Sequence, residues 1–236
     1  MTYRRDSDLP WPYVWFTNGS SKDFNSTAVQ HKLAGKTKLV AWVVSNCGAD
    51  SRRRVYVNRL MKHIPVDVYG ACGNLTCARN ASCDEMLGRD YKFYIAFENS
   101  VCKEYVSEKY HRALKNHMVP VVLSDDVYRD VMPPHSYIAA DQFSSPKELA
   151  SYLLRLSNDS AAYSAYFDFW KSYHLKSNGP YSGRSIHSGY CDLCELVSRE
   201  GPLPTRIVKD IRKYWMEEAN CRPAYAWKLL QRRTPR

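Results

Sequence analysis

No stretch of this 236-residue sequence holds the ~18 consecutive apolar residues that a membrane-spanning helix needs, so none of it is expected to cross a bilayer. Residues Met1 to Pro10 carry Arg4, Arg5, Asp6 and Asp8 and no apolar core, so no secretory leader is expected there. There is no G-x-G-x-x-G and no phosphate-loop lysine motif, which removes the dinucleotide and ATP fingerprints. His111, His117, His135, His174 and His187 are scattered without an H-x-x-x-H spacing, so no metal site is expected. No repeat of fixed period is present. With 44% hydrophobic and 13% aromatic residues, 18 Tyr and 6 Trp among them, the chain is not disordered. Its length is enough for one large buried core or two small ones.

What is present points to an oxidising compartment. Asn-x-Ser/Thr triplets occur at Asn18, Asn25, Asn74, Asn80 and Asn158, all candidate glycosylation sites. Cys47, Cys72, Cys77, Cys83, Cys102, Cys191, Cys194 and Cys221 are candidate disulfide partners. Cys191 and Cys194 form a C-x-x-C pair with no second pair at zinc-ligand spacing, so a structural disulfide is the better reading. A lumenal protein needs an address that this chain does not contain, so a C-terminal part of a longer protein is expected.

The net charge of +10 suits nucleic acid, anionic lipid or a phosphate-bearing small molecule. Nucleic-acid binders gather cations on one stripe. Here the clusters are Arg52-Arg53-Arg54 and the stretch from Arg206 to Arg236, while the aromatic residues sit in apparent core strands. Nucleic acid is therefore not expected as a partner.

Along the chain, residues 1–38 read as a polar lead-in. A continuous apolar run at 39–44 predicts a strand buried on both faces, and 65–70, 92–97, 119–123 and 136–140 read as further strands. Helical spacing is predicted over 53–61, 107–116, 146–156 and 161–173, with a cysteine-rich excursion at 71–89. This alternation predicts an α/β fold with a Rossmann-like, mostly parallel sheet, and ligands gather at the carboxyl ends of such strands. The expected division is a lead-in over 1–38, a nucleotide-binding domain over 39–200 and a basic tail over 201–236.

Two segments fall at those strand ends. Ser45-Asn46-Cys47-Gly48 with Arg52, Arg53 and Arg54 suits an anion held by amides and a two-pronged arginine; it is also what an ordinary turn with solvated arginines looks like. The second runs from Phe97-Glu98-Asn99-Ser100 to Tyr105-Val106-Ser107-Glu108-Lys109. Ser107 there reads as a helix N-cap with an acidic first turn, but Lys109 in that turn opposes the helix dipole, a conflict that an anionic ligand would remove.

These residues carry a resemblance. Tyr91-Lys92-Phe93-Tyr94-Ile95-Ala96-Phe97-Glu98-Asn99-Ser100, then Glu104-Tyr105-Val106-Ser107-Glu108-Lys109 and Val119-Pro120-Val121-Val122-Leu123, resemble the signature of the α1,3-fucosyltransferases of glycosyltransferase family 10. Tyr3-Arg4-Arg5-Asp6-Ser7-Asp8, Pro133-Pro134-His135-Ser136-Tyr137-Ile138 and Ser145-Pro146-Lys147-Glu148-Leu149-Ala150 match as well. The resemblance implies the C-terminal, donor-binding half of a GT-B glycosyltransferase, Golgi-lumenal, which moves L-fucose from GDP-fucose to an N-acetylglucosamine of a glycoprotein glycan with inversion. It implies no cofactor and no metal. Arg53 and Lys109 would neutralise the pyrophosphate, Glu108 would bond the fucose, Asn99 and Tyr105 would line the nucleotide pocket, and Ser45 and Asn46 would approach the phosphates or ribose. Tyr69, Glu98 and Ser107 complete the expected donor set. The catalytic base, the acceptor domain and the membrane anchor would lie outside this chain, leaving it weak or inactive alone. A non-catalytic binding or regulatory remnant and a different GT-B nucleotide-sugar transferase are the alternatives.

Overall fold

The computed structural model of the chain describes residues 1–19, 26–77, 81–177, 187–199 and 207–232. Its centre is a parallel sheet of β2 (Lys38–Val43), β3 (Val66–Tyr69), β4 (Tyr91–Ile95), β5 (Val119–Val122) and β6 (Ile138–Ala139), in the order β3-β2-β4-β5-β6. Val40 stands opposite both Val66 and Phe93, and Phe93 opposite Val119, so the central strands form one apolar layer. Val40, Ala41, Phe93, Tyr94, Ile95, Val121 and Val122 are almost fully buried. This is why these segments read as unbroken apolar runs: a parallel strand covered on both faces has no polar side to alternate with.

The strand order reverses between β2 and β4. From β2 the chain crosses through α2 (Arg53–Leu60) to β3 on one side, and β4 lies on the other. The carboxyl ends of β2 and β4 flank that reversal, which is where open α/β sheets hold their ligands.

The covering helices are α1 (Ser26–Ala34), α3 (Ala81–Asp90), α4 (Glu108–Lys115), α5 (Asp125–Tyr128), α6 (Pro146–Asn158), α7 (Ser160–Ala165), α8 (His187–Ser198) and α9 (Tyr225–Gln231). α6 begins as its sequence dictates: Ser145 Oγ accepts the Glu148 amide and Pro146 occupies the first turn.

The ends of the chain differ from expectation. Within the expected lead-in, Val14–Asn18 (β1) pairs antiparallel with Tyr173–Ser177 (β7), which follows the stretch expected as a helix over 161–173. That helix is shorter, ending at Ala165, and a 3-10 turn over Asp168–Lys171 leads into β7; Phe16 of β1 meets Phe169 of the turn at 5.8 Å and Tyr173 at 6.4 Å. Tyr3 and Arg4 are buried, Arg4 lying 4.2 Å over the Tyr214 ring and bonding the Tyr214 carbonyl. The stretch expected as a basic tail packs back over 207–232. α9 lies against α2 with Tyr225, Ala226 and Leu229 buried, residues that share one face at spacings of one, three and four. The cysteine-rich excursion contains α3.

Three disulfides form, Cys47–Cys72, Cys77–Cys83 and Cys102–Cys221. Cys191 and Cys194, expected as a fourth, are free exposed thiols carried on α8. Asn18, Asn74 and Asn158 are exposed, as carrier sites must be. Asn25 and Asn80 lie outside the described residues. Among the described residues no helix is long and apolar enough to cross a membrane.

Candidate functional site

A cleft of about 340 Å³ opens at the switch point. Its walls come from the chain after β2 (Val44, Ser45, Asn46), from Gly70 after β3, from Asn99 after β4, from Arg53 of α2, and from Glu108, Lys109 and Arg112 of α4. The Cys47–Cys72 disulfide ties the loops after β2 and β3 together. Gly70 is needed where it stands: its φ is +92°, and a Cβ there would meet the Val44 carbonyl oxygen at 2.7 Å.

Of the three consecutive arginines only Arg53 turns inward; Arg52 and Arg54 are exposed. Arg52 takes a left-handed φ of 54°, which sends the next side chain into the fold at the start of α2. The Arg53 guanidinium is 3% exposed, donates to the carbonyls of Phe97 and Asn46, and lies 5.9 Å from the Trp42 ring. Burial lowers its pKa while Glu98 opposes the shift, and an arginine so placed stays charged. Among the described residues its Nε is buried without a hydrogen-bond partner, and so is Asn99 Oδ1 in the same cleft. Arg53 thus offers the cleft a donor and Asn99 an acceptor. That pair suits a ligand with both anionic oxygens and hydroxyl groups.

Lys109, also in the cleft lining, donates to Glu98 at 3.0 Å, to Ser107 Oγ at 2.7 Å and to Glu108 at 3.1 Å. Burial alone would lower its pKa, but the carboxylates of Glu98 and Glu108 more than offset this and hold it above the usual lysine range. Burial pushes the Glu108 carboxyl up, and Lys109 overrides it and brings it below its ordinary value. Both partners are therefore ionised at neutral pH.

Ser45, Asn46, Arg53, Asn99, Glu108 and Lys109 thus meet in one cleft. Four expected residues do not line it. Glu98 is buried behind it, its carboxylate accepting the Ser107 amide, the Ser107 hydroxyl and Lys109. Ser107 therefore does not cap α4; its hydroxyl is committed to Glu98. Tyr69 is a core residue, with its hydroxyl 2.7 Å from that of Tyr91. Alternation along β3 turns its side chain away from the cleft while its carbonyl holds the Val44 amide. Tyr105 lines an adjoining aromatic hollow of about 480 Å³ with Tyr3, Trp11, Tyr13 and Trp215, and burial pushes its hydroxyl up to about 12. Arg112, one turn beyond Lys109 on α4, was not singled out; its i,i+3 spacing from Lys109 is the signal that marks it.

A parallel α/β domain with a cationic cleft at its switch point is the nucleotide-binding class of doubly wound fold. Residues 33–215 match the model of "Glycosyltransferase family 10 (fucosyltransferase) C-term", and the chain belongs to that family. Glycoprotein 3-alpha-L-fucosyltransferase A of Drosophila melanogaster is 40% identical over 227 residues, 93% of this chain and 43% of that protein. The human 4-galactosyl-N-acetylglucosaminide 3-alpha-L-fucosyltransferase FUT6 is 39% identical over 209 residues, 87% of this chain and 55% of its own. The chain therefore spans about half the length of the curated relatives it matches. An α1,3-fucosyltransferase solved with GDP-fucose shares the fold, with a TM-score of 0.54 at 19% identity over 74% of this chain and 51% of that one.

Proposed function

We propose that this chain is the donor-holding half of an α1,3-fucosyltransferase. It binds GDP-fucose at the β2/β4 switch point and presents the fucosyl carbon to an N-acetylglucosamine hydroxyl of a glycoprotein glycan. The observation that carries this reading is the meeting of Arg53 and Lys109, 56 positions apart in the sequence, in the lining of one cleft in a family 10 chain.

In the reaction the acceptor oxygen forms a bond to C1 of fucose with inversion, the bond from C1 to the β-phosphate oxygen breaks, and GDP leaves with the bonding pair. Negative charge grows on the departing diphosphate, and fixed cations facing it lower the barrier because they need not reorganise. Arg53 and Lys109 supply that charge without a metal. Glu108 accepts from a fucose hydroxyl, Asn99 Oδ1 from a ribose or sugar hydroxyl, and Ser45 and Asn46 flank the phosphates. The acceptor proton needs a free carboxylate nearby. Glu98 is saturated by Ser107 and Lys109, and Glu108 is paired with Lys109, so the base comes from outside this cleft and the chain alone turns over slowly. Three disulfides and exposed sequons suit a Golgi-lumenal setting.

The test is titration calorimetry of the chain with GDP and UDP. GDP binds in preference to UDP. Arg53→Ala and Lys109→Ala each weaken GDP by roughly 10–100-fold, as expected for losing a charge-assisted hydrogen bond of about 1.5–3 kcal/mol. GDP affinity unchanged in both variants would refute the assignment.

A further inference from the structure

Tyr105 stands apart from the donor cleft, in a hollow of about 480 Å³ that the reaction above leaves without a role. None of the described residues lining the hollow has a charged side chain, although the chain carries a net charge of +10. Its walls are aromatic instead. The Tyr3 ring lies 5.0 Å from that of Tyr105 and meets that of Trp215 edge-on at 5.5 Å, so three of the lining rings brace one another. The disulfide between Cys102 and Cys221 is part of the lining and holds the loop after β4 to the segment that carries Trp215. Tyr13 and Trp215 are 41% and 40% exposed, which leaves aromatic surface open to a ligand. Thr2 and Ser100 add hydroxyl groups to the same lining.

The hollow and the donor cleft share a border. Asn99 lines the cleft, and Ser100, the next residue, lines the hollow. Burial dominates the surroundings of the Tyr105 hydroxyl, and Glu98, Lys109, Tyr13 and Glu108 all lie close enough to act on it electrostatically. Glu108 is the residue assigned to the fucosyl group, so the hollow adjoins the part of the cleft that takes the sugar.

We propose that this hollow seats a neutral pyranose ring of the acceptor glycan, an inference that rests on the donor-cleft reading above. A pyranose is two-sided: C–H groups make its face apolar, and hydroxyls surround its edge. Tyrosine and tryptophan have the same division, an apolar body with one polar tip, so a wall of them meets both parts of the ring. Small-ligand pockets are built in this way, from apolar and aromatic walls with a few polar groups that set orientation. A charged ligand would give up its water here without meeting an opposite charge. Rings already packed against one another lose little freedom when a sugar arrives.

The test is saturation-transfer NMR of the 236-residue chain with N,N′-diacetylchitobiose, a neutral pair of pyranose rings. Transfer reaches the ring C–H protons and rises to a plateau at millimolar sugar. Tyr13→Ala and Trp215→Ala each weaken the sugar by roughly 3–10-fold, the worth of one aromatic contact. Trp215→Phe keeps a ring in the wall and loses less. Calorimetric titration of the same samples with GDP reports whether the fold and the donor cleft are intact. Tyr13 is the safer of the two positions, because so much of its side chain already faces water. A chain that binds GDP but transfers no saturation to the sugar would overturn this inference alone. Transfer undiminished in both alanine variants would do the same, as would a dimer that forms through these residues and excludes the sugar. A wild-type chain that does not bind GDP would overturn the donor-cleft reading and this inference with it.

Discussion

Glu98→Ala lowers the folding stability of the chain by about 3–5 kcal/mol, the cost of removing one partner from a buried charge pair. Glu98 is 4% exposed and accepts three donors: the Ser107 amide at 2.8 Å, the Ser107 hydroxyl, and Lys109 at 3.0 Å. Without it the Ser107 amide loses its acceptor, and Lys109 keeps the neutral Ser107 hydroxyl and, as its charged partner, Glu108, whose side chain is 40% exposed and screened by water. Glu98→Gln retains an acceptor for the Ser107 amide and loses only the ion pair, so its loss is the smaller of the two. In a chain of this length the alanine variant melts on the order of 10 °C lower. Urea unfolding of the three proteins measures the ordering directly. A Glu98→Ala variant within about 1 kcal/mol of wild type would show that the loop after β4 is held by something else. GDP affinity falls in the same variant, because Lys109 loses the contact that aims it.

The legible part of the fold was its local part. The strands read as 39–44 and 92–97 appear as Lys38–Val43 and Tyr91–Ile95, since burial on both faces leaves an unbroken apolar run that any window detects. Arg53 and Lys109 were picked out by lying at strand ends, which a βαβ alternation places on one rim whatever the chain length between them. Identity of residue type did not carry direction. Tyr69 lies at a strand end too, but the alternation of β3 points its ring into the core beside Tyr91. Ser107 has an N-cap's position and residue type, yet a carboxylate nine residues earlier captures its hydroxyl. The least legible parts depend on distant partners. β1 finds β7 across most of the chain, and the segment carrying α9 is placed by backbone bonds to residues 50, 51 and 101 rather than by the pattern of its own short helix.

Joining Cys102 to Cys221 closes a loop over a separation of 119 residues, and the chain-entropy account makes such a link worth about 4–5 kcal/mol. The double variant Cys102→Ser with Cys221→Ser is expected to lose roughly that amount in urea unfolding under oxidising conditions. The effect reaches the cleft through short steps. Arg222 N donates to the Val101 carbonyl at 2.8 Å, Ala224 N to Asp50 at 2.8 Å and Ala226 N to Ser51 at 3.0 Å. Ser51 in turn donates its hydroxyl to the Glu98 carbonyl at 2.7 Å and its amide to the Asn99 carbonyl at 2.8 Å. The segment carrying α9 therefore clamps the two loops that set Arg53 and Asn99, and the disulfide keeps that segment near them. Loss of the link leaves α9 attached by a few side chains and those backbone bonds, so the amides of Ala224 and Ala226 exchange faster with deuterium. GDP affinity falls together with that protection, while Arg53→Ala lowers affinity and leaves the α9 amides protected. A serine double variant within about 1 kcal/mol of wild type, with α9 exchange unchanged, would show that packing of Tyr225, Ala226 and Leu229 holds the clamp without the covalent link.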